Sequence, residues 1–393
     1  MNIMMVSAEM APFAKVGGLG DVAAALSAAL AGRGHDVRVV LPLYGHLDRE
    51  AEDIHPLKKL PPLSVQVASR VVPFRFHMRG SARGRLKTYL VDCPELFGEG
   101  DIYLTDTADA DTVLARWTLL ARAALMLPQL LAWPVDIVHA HDAGAAPAVV
   151  FRQQLYGDDL PGPGATVMTI HNLAHQEVHP AAGIATLNLP RALATFPGLL
   201  EFHGHLNLLK GAIQAADRVN TVSPTYAVET TGDPEYGAGL QEVLAARGGD
   251  YTGILNGTDY GTWDPRKDPA LPAAYGPGDL AGKEECRRKL LAELDLAADA
   301  EGPLCGFVGR LVHQKGVDLV LPVLDRLVRD GFTFAILGTG QPELEEASRR
   351  AADKYPGRVA FIGRYDDALA HRIYAGSDLF LMPSLFEPCG LSQ

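Results

Sequence analysis

Short apolar runs recur along this chain and alternate with stretches of helical periodicity. The first run is Asn2-Ile3-Met4-Met5-Val6. Val22, Leu26, Ala29 and Leu30 then fall on one helical face, and Gly32-Arg33-Gly34 ends that helix before Val37-Arg38-Val39-Val40-Leu41. Strand, helix and strand within about forty residues predict a βαβ unit, hence a parallel sheet covered by helices. Residues 65–91 alternate instead, with Val65, Val67, Val71, Val72, Phe74, Phe76, Tyr89 and Val91, as antiparallel hairpin strands do. A long buried helix is expected over 112–131, and further strands over 136–140, 165–170, 217–222 and 253–255. Ser223-Pro224 reads as a helix start, serine at the cap and proline in the first turn. Residues 174–209, rich in Pro, His and Gly, read as a long loop with short helices, and such loops beside sheet ends often act as lids.

The pattern restarts after a stretch punctuated by Pro265, Pro269, Pro272 and Pro277. A helix over 282–294 leads into a second series: strand 304–308, helix 317–329, strand 332–337, helix 343–354, strand 359–362, a short helix and strand 379–382. The expected fold is therefore α/β, with two Rossmann-like parallel-sheet domains facing a cleft. The first spans 1–263, a linker and boundary helix 264–302, and the second domain 303–393.

Polar residues cluster where these strands end, which is where open α/β sheets bind ligands. The first strand leads to Lys15-Val16-Gly17-Gly18-Leu19-Gly20-Asp21, a glycine-rich stretch before a helix that can present N–H groups and a cation to an anion. The connection through Ser7–Ala14 is too long for the dinucleotide fingerprint. A plain loop capped by Asp21 fits the same residues. His139, His141 and Asp142 close the strand over 136–140, His171 and Asn172 the next, and Asn256-Gly257 a third. Each histidine alone also fits a satisfied structural residue. In the second series, Gly309-Arg310 ends a strand and Gln314-Lys315-Gly316 opens a helix, so both cations can address one pyrophosphate. Gly338-Thr339-Gly340 fits either a nucleotide approach or an ordinary turn. Glu387 follows the last strand, where a carboxylate can orient a sugar, although a surface turn fits it equally.

Composition narrows the function classes. The 393 residues suit two or three domains, and 48% hydrophobic with 21% charged residues is an ordinary globular balance. A net charge of -12 argues against nucleic-acid binding and against adhesion to anionic membranes. Cys93, Cys286, Cys305 and Cys389 form no CxxC pair, so neither a zinc site nor a disulfide framework is expected. No apolar run approaches the roughly 18 residues of a membrane span, and no signal peptide is visible, so a cytoplasmic location is expected.

Taken together, several of these stretches resemble the glycogen/starch synthases. They are Lys15–Asp21, His139-Ala140-His141-Asp142, His171-Asn172-Leu173-Ala174, Asn220–Tyr226, Gly253–Asp259, Gly309-Arg310 with Gln314-Lys315-Gly316, and Glu387-Pro388-Cys389-Gly390-Leu391, in the family's order. The resemblance implies a retaining transfer of glucose from ADP-glucose to the non-reducing end of an α-1,4-glucan such as glycogen. It implies no cofactor, no metal, and neither a nucleic-acid nor a membrane partner. The first domain would take the acceptor and the second the nucleotide sugar. Lys15, Gly17, Gly18 and Asp21 would contact donor phosphates and sugar, and Arg310 and Lys315 would neutralise the leaving diphosphate. His171 would stabilise positive charge at the reacting sugar. Glu387 would hold sugar hydroxyls beside Cys389 and Gly390, with Asp142 and Asn256 lining the glucose pocket. Tyr103 would touch sugar or acceptor, and Tyr365 would stack on the nucleobase.

Departures from the family pattern lie at Ala143-Gly144, at His175-Gln176-Glu177 and at Leu385, where they bear on acceptor contacts. The family also runs on past the last residue here, so the second domain is expected to be incomplete at its C-terminus. Two alternatives follow: a nucleotide-sugar- or glucan-binding remnant without turnover, or a related glycosyltransferase with another donor.

Overall fold

Met4, Met5 and Val6 are fully buried, and their strand β1 (Asn2–Val6) lies inside a 10-stranded sheet. The computed structural model describes residues 1–80, 84–103, 109–297 and 302–392, and the chain divides into the units Met1–Gly257 and Thr258–Gln393. The first unit contains β2 (Asp36–Pro42), β3 (Ile54–Pro56), β4 (Leu63–Val67), β5 (Arg70–Arg79), β6 (Leu86–Asp92), β7 (Ile137–His141) and β8 (Ala165–Ile170). After the short strands β9 (Val178–Pro180), β10 (Glu201–Phe202) and β11 (His205–Asn207) come β12 (Arg218–Thr221) and β13 (Tyr251–Gly253).

The large sheet runs β13-β12-β8-β7-β1-β2-β6-β5-β3, with β4 added on β5. From β13 to β6 every pairing is parallel, as the near-continuous apolar runs require. The alternating region forms the antiparallel pairs β3–β5, β4–β5 and β5–β6. Along β5, Val72, Phe74 and Phe76 are buried while Val71 is 71% exposed, the two-residue period of a sheet with one wet face. Those side chains join Trp117, Leu120 and Leu125 of the helix Ala110–Leu130 in one core. Asp109 caps that helix, its carboxylate accepting from the Thr112 N–H at 2.7 Å.

The stretch 174–209 holds more structure than a loop with short helices: β9, β10 and β11 form a small antiparallel sheet. Its pairing of Val178 with Asn207 joins residues too far apart for local periodicity to register. β13 ends at Gly253, leaving Ile254 and Leu255 61% and 63% exposed beyond the edge, where a strand over 253–255 is expected from sequence.

The second unit has a four-stranded parallel sheet, β16-β15-β14-β17, from β14 (Leu304–Val308), β15 (Thr333–Leu337), β16 (Val359–Ile362) and β17 (Leu379–Phe380). The single helix expected over 317–329 is instead Val317–Val320, a tight turn Leu321–Val323, and Leu324–Arg329. Pro322 has no N–H to continue the ladder, which accounts for the break. Residues 264–302 lie within this unit, and Leu290 and Leu291 of the helix Ala281–Glu293 share a core with Leu369 and Ile373 of the helix Asp367–Gly376.

Candidate active site

Each sheet reverses its direction of strand addition once. In the first unit β2 and β7 flank β1, and in the second β15 and β17 flank β14. The crevice beyond the carboxyl ends at such a switch point is where open α/β sheets bind ligands. At the first switch point the chain leaves β1 and reaches the glycine stretch, whose helix already begins at Gly18. The capping residue is Gly17 rather than Asp21, which lies in the first turn with its carboxylate 3.0 Å from the Lys15 ammonium. Glu9, only 3% exposed, meets this helix end from behind. One of its oxygens accepts from the N–H of Val16 at 2.6 Å and of Gly17 at 3.1 Å, and the other accepts from the Tyr103 hydroxyl at 2.6 Å. An internal carboxylate therefore caps the positive end of the helix and holds Tyr103 at the same place. Burial and Glu9 both push the Tyr103 hydroxyl upward, so it stays protonated and donates.

Beyond β7 and β8 the polar groups are enclosed. The His141 Nδ1 is 3.0 Å from the His171 Nε2, and the His139 and His141 rings lie 4.1 Å apart. The His139 Nε2 is 2.6 Å from the Thr169 hydroxyl, which donates to Asn220 Oδ1 at 2.7 Å, linking the ends of three adjacent strands. Desolvation lowers His139 to about 4 and His171 to about 3, and takes His141 well below its usual range. All three rings are neutral at physiological pH. Asp142 adopts φ +55, a left-handed conformation rare for a residue with a side chain. Its carboxylate turns back to accept from the N–H groups of His171 at 2.6 Å and Asn172 at 3.4 Å. Burial outweighs those bonds and pushes Asp142 up to about 7.

The second switch point is open and charged. Arg310 follows β14, exposed and without a side-chain partner among the described residues. The Lys315 ammonium is bound to Glu387 Oε1, which also accepts from the Ser384 hydroxyl at 2.7 Å. Main-chain bonds pin the two stretches together: Leu385 N–H donates to Gln314 O, and the Gln314 amide to Phe386 O. Gly316, at φ +69, is where they pass closest, since a Cβ there would lie 2.1 Å from the Pro383 carbonyl oxygen. Gly340 likewise faces the Leu311 carbonyl, so the turn after β15 admits a neighbouring main chain.

Residues 2–246 match the family pattern described as "Starch synthase catalytic domain", and residues 302–393 that of "Glycosyl transferases group 1". The chain belongs to the glycogen/starch synthase family. It is 44% identical to a glycogen synthase of Anaeromyxobacter sp. (strain Fw109-5), covering 100% of this chain and 81% of that protein. A glycogen synthase of Alkalilimnicola ehrlichii is also 44% identical, with 100% and 80% covered. The solved catalytic domain of starch synthase IV from Arabidopsis thaliana, bound to ADP and acarbose, superposes with a TM-score of 0.90 at 33% identity, covering 100% of this chain and 80% of that one. The fold is thus the GT-B type, and the protein is a glycosyltransferase, a synthase of this family.

Within the synthase's first unit, Lys15, Gly17, Gly18 and Asp21 stand at the start of the helix after β1, Tyr103 is tied to them through Glu9, and Asp142 and His171 directly follow β7 and β8. The Gly17 N–H is already taken by Glu9, so that group is not free for a phosphate. Asn256 lies past the edge strand β13, partly buried and without a side-chain hydrogen bond among the described residues. In the second unit Lys315 and Glu387 are brought together, with Cys389 half-buried and Gly390 at φ +75 just beyond, while Arg310 stands exposed after β14. Tyr365 is 68% exposed in the turn after β16, its hydroxyl donating to Asp367 at 3.3 Å. Glu9 and Ser384 escaped sequence reasoning. Glu9's one signal was being the sole carboxylate in the apolar stretch between β1 and Lys15. A groove of about 610 Å³ bounded by Gln66, Ser69, Asn188 and Arg191 contains none of these residues. Among the described residues no helix is long and apolar enough to cross a membrane, and no group of three His, Cys, Asp or Glu could hold a metal ion.

Proposed function

We propose that this synthase transfers glucose, with retention, from ADP-glucose to the non-reducing end of an α-1,4-glucan, using neither a cofactor nor a metal. The observation that carries the reading is the chemistry beyond the strand ends: a buried histidine cluster with Asp142 after β7 and β8, and the Lys315–Glu387 ion pair with an exposed Arg310 after β14 and β17. In the transfer, the bond from glucose C1 to the diphosphate breaks and the acceptor hydroxyl oxygen bonds C1. The hydroxyl's proton leaves with ADP. Negative charge grows on the diphosphate, and the Lys315 ammonium, paired with Glu387, and the exposed Arg310 guanidinium are the cations offered to it. Glu387, fixed by Lys315 and Ser384, is the carboxylate for sugar hydroxyls. Positive charge grows at C1, beside which a histidinium would be repulsive. Burial keeps His171 neutral, so no cation stands there and its main-chain carbonyl can face that charge as a dipole, leaving the ring for a sugar hydroxyl. Tyr365 offers an exposed ring face for the adenine, and Lys15 a cation for the phosphates. A cytoplasmic location belongs to this reading.

The test is ADP release from ADP-glucose with glycogen as acceptor, run beside UDP-glucose. Faster release from ADP-glucose, with lengthened α-linked glucan, is the expected result. Turnover only with UDP-glucose would replace the donor. Binding of ADP without any transfer would replace the enzyme by a binding protein.

A further inference from the structure

We propose that His141 is a positioning residue that holds His171 in one neutral tautomer, with the N–H on Nδ1 and that nitrogen turned toward a hydroxyl oxygen of the reacting sugar. The inference rests on the reading that His171 faces the donor. Two consecutive residues at the end of β7 grip His171 at the end of β8. His141 meets its ring at Nε2, and Asp142 accepts from its main-chain N–H at 2.6 Å. His171 is 8% exposed, and its Nδ1 has no partner among the described residues, so that nitrogen is the one left for a ligand.

The direction of the proton follows from His141. It is fully buried, and its Nε2 has no hydrogen-bond partner among the described residues. If His171 Nε2–H donated to His141 Nδ1, the neutral His141 would carry its own proton on Nε2, a buried donor with no acceptor. If His141 Nδ1–H donates to His171 Nε2, only a lone pair is left without a partner. Buried donors left unpaired are the rarer case, so the second arrangement is favoured. The His141 ring is itself held in place: His139 lies against it at 4.1 Å and is tied through Thr169 to Asn220. The sugar side of His171 would then meet an N–H donor whose direction is set by a residue that touches no substrate.

The test begins with the resting wild-type protein, its histidine rings labelled with ¹⁵N and His171 assigned by its loss in His171→Gln. The expected spectrum shows a neutral His171 protonated on Nδ1. A neutral ring protonated on Nε2, or a charged ring at pH 7, overturns the proposal. In His141→Phe, which keeps a ring against His139, His171 should revert to the Nε2–H form. There kcat should fall about 10²-fold with donor KM changed less than about threefold, the usual effect of a misplaced reacting group. His141→Asn, whose amide can occupy the Nδ1 position, should recover most of the loss. An unchanged His171 tautomer in a folded His141→Phe protein also overturns the proposal. The wild-type spectrum needs neither turnover nor a folded variant. A protein inactive on ADP-glucose but with His171 protonated on Nδ1 would therefore defeat the functional reading alone.

Discussion

The two switch points are topologically alike and chemically opposite. Beyond β7 and β8, the polar groups are enclosed, the histidines are stripped of charge and Asp142 is pushed up to about 7, with the partly exposed Lys15–Asp21 pair as an ionic contact after β1. Beside β14 and β17, Lys315 and Glu387 face each other as ions and Arg310 projects into solvent. The difference teaches which half of a nucleotide sugar each can serve. A diphosphate arrives charged and must be met by charge that water has not been allowed to cancel completely. A glucose ring losing its leaving group needs dipoles in fixed directions and must not meet another cation, so desolvation there is useful rather than costly.

The comparison breaks most sharply if the cations are removed. Lys315→Ala, and to a lesser degree Arg310→Ala, should lower kcat by about 10²–10³ while leaving glycogen affinity nearly unchanged. Lys315→Ala should be the worse of the two, because it also leaves Glu387 with only Ser384. Steady-state kinetics beside a glycogen-binding assay decide it, and equal losses in both would refute the leaving-group role.

Acid should distinguish the two regions next. Each histidine of the first cluster has a folded value below 6.5, so between about 4 and 6.5 the unfolded chain binds more protons and stability falls as pH falls. Asp142 acts in the opposite sense. Raised from 3.8 to about 7, it makes the folded state bind the extra proton and lose stability as pH rises through that window. Three groups outweigh one, so Tm should drop on the order of 5–10 °C from pH 7 to pH 5. Asp142→Asn should steepen that slope and His171→Gln should flatten it. A Tm that does not change with pH would mean that the cluster is not desolvated as described.

The smallest effect sharpens the assignment of the second unit to the nucleotide. Tyr365→Ala removes a ring that is 68% exposed, so folding should be little affected while ADP affinity falls by about 1–3 kcal/mol, the usual worth of base stacking on an aromatic. Calorimetric titration with ADP measures it, and unchanged affinity would free Tyr365 from that role.

The contrast itself was only half legible in the chain. The strand ends could be read because a parallel strand buried on both faces must be apolar throughout, so the first polar residues after Val138 or Ile170 announce its carboxyl end. That is why the positions of Asp142, His171 and Arg310 just after strands are legible in the sequence. The state of those residues could not be read. On sequence His141 is as good a candidate for a satisfied structural histidine as any, yet its Nε2 has no partner among the described residues. Glu387, on sequence equally a surface turn, proved to be ion-paired. The helix over 317–329 failed for a local reason, Pro322, whose position inside the pattern was in plain view.

Sequence alone determined the two α/β series, the strand ends and the family, because periodicity, glycine punctuation and short motifs are local properties of the chain. Tertiary structure alone decided which strands neighbour one another, and so where the switch points fall. It brought Glu9 to the Val16 and Gly17 N–H groups and to Tyr103, 94 residues away. It set His141 against His171 across 30 residues, and Lys315 against Glu387 across 72. Hydrogen bonds and desolvation depend on distance in space. No spacing along a chain encodes which distant group will arrive to accept a proton or to shut out water.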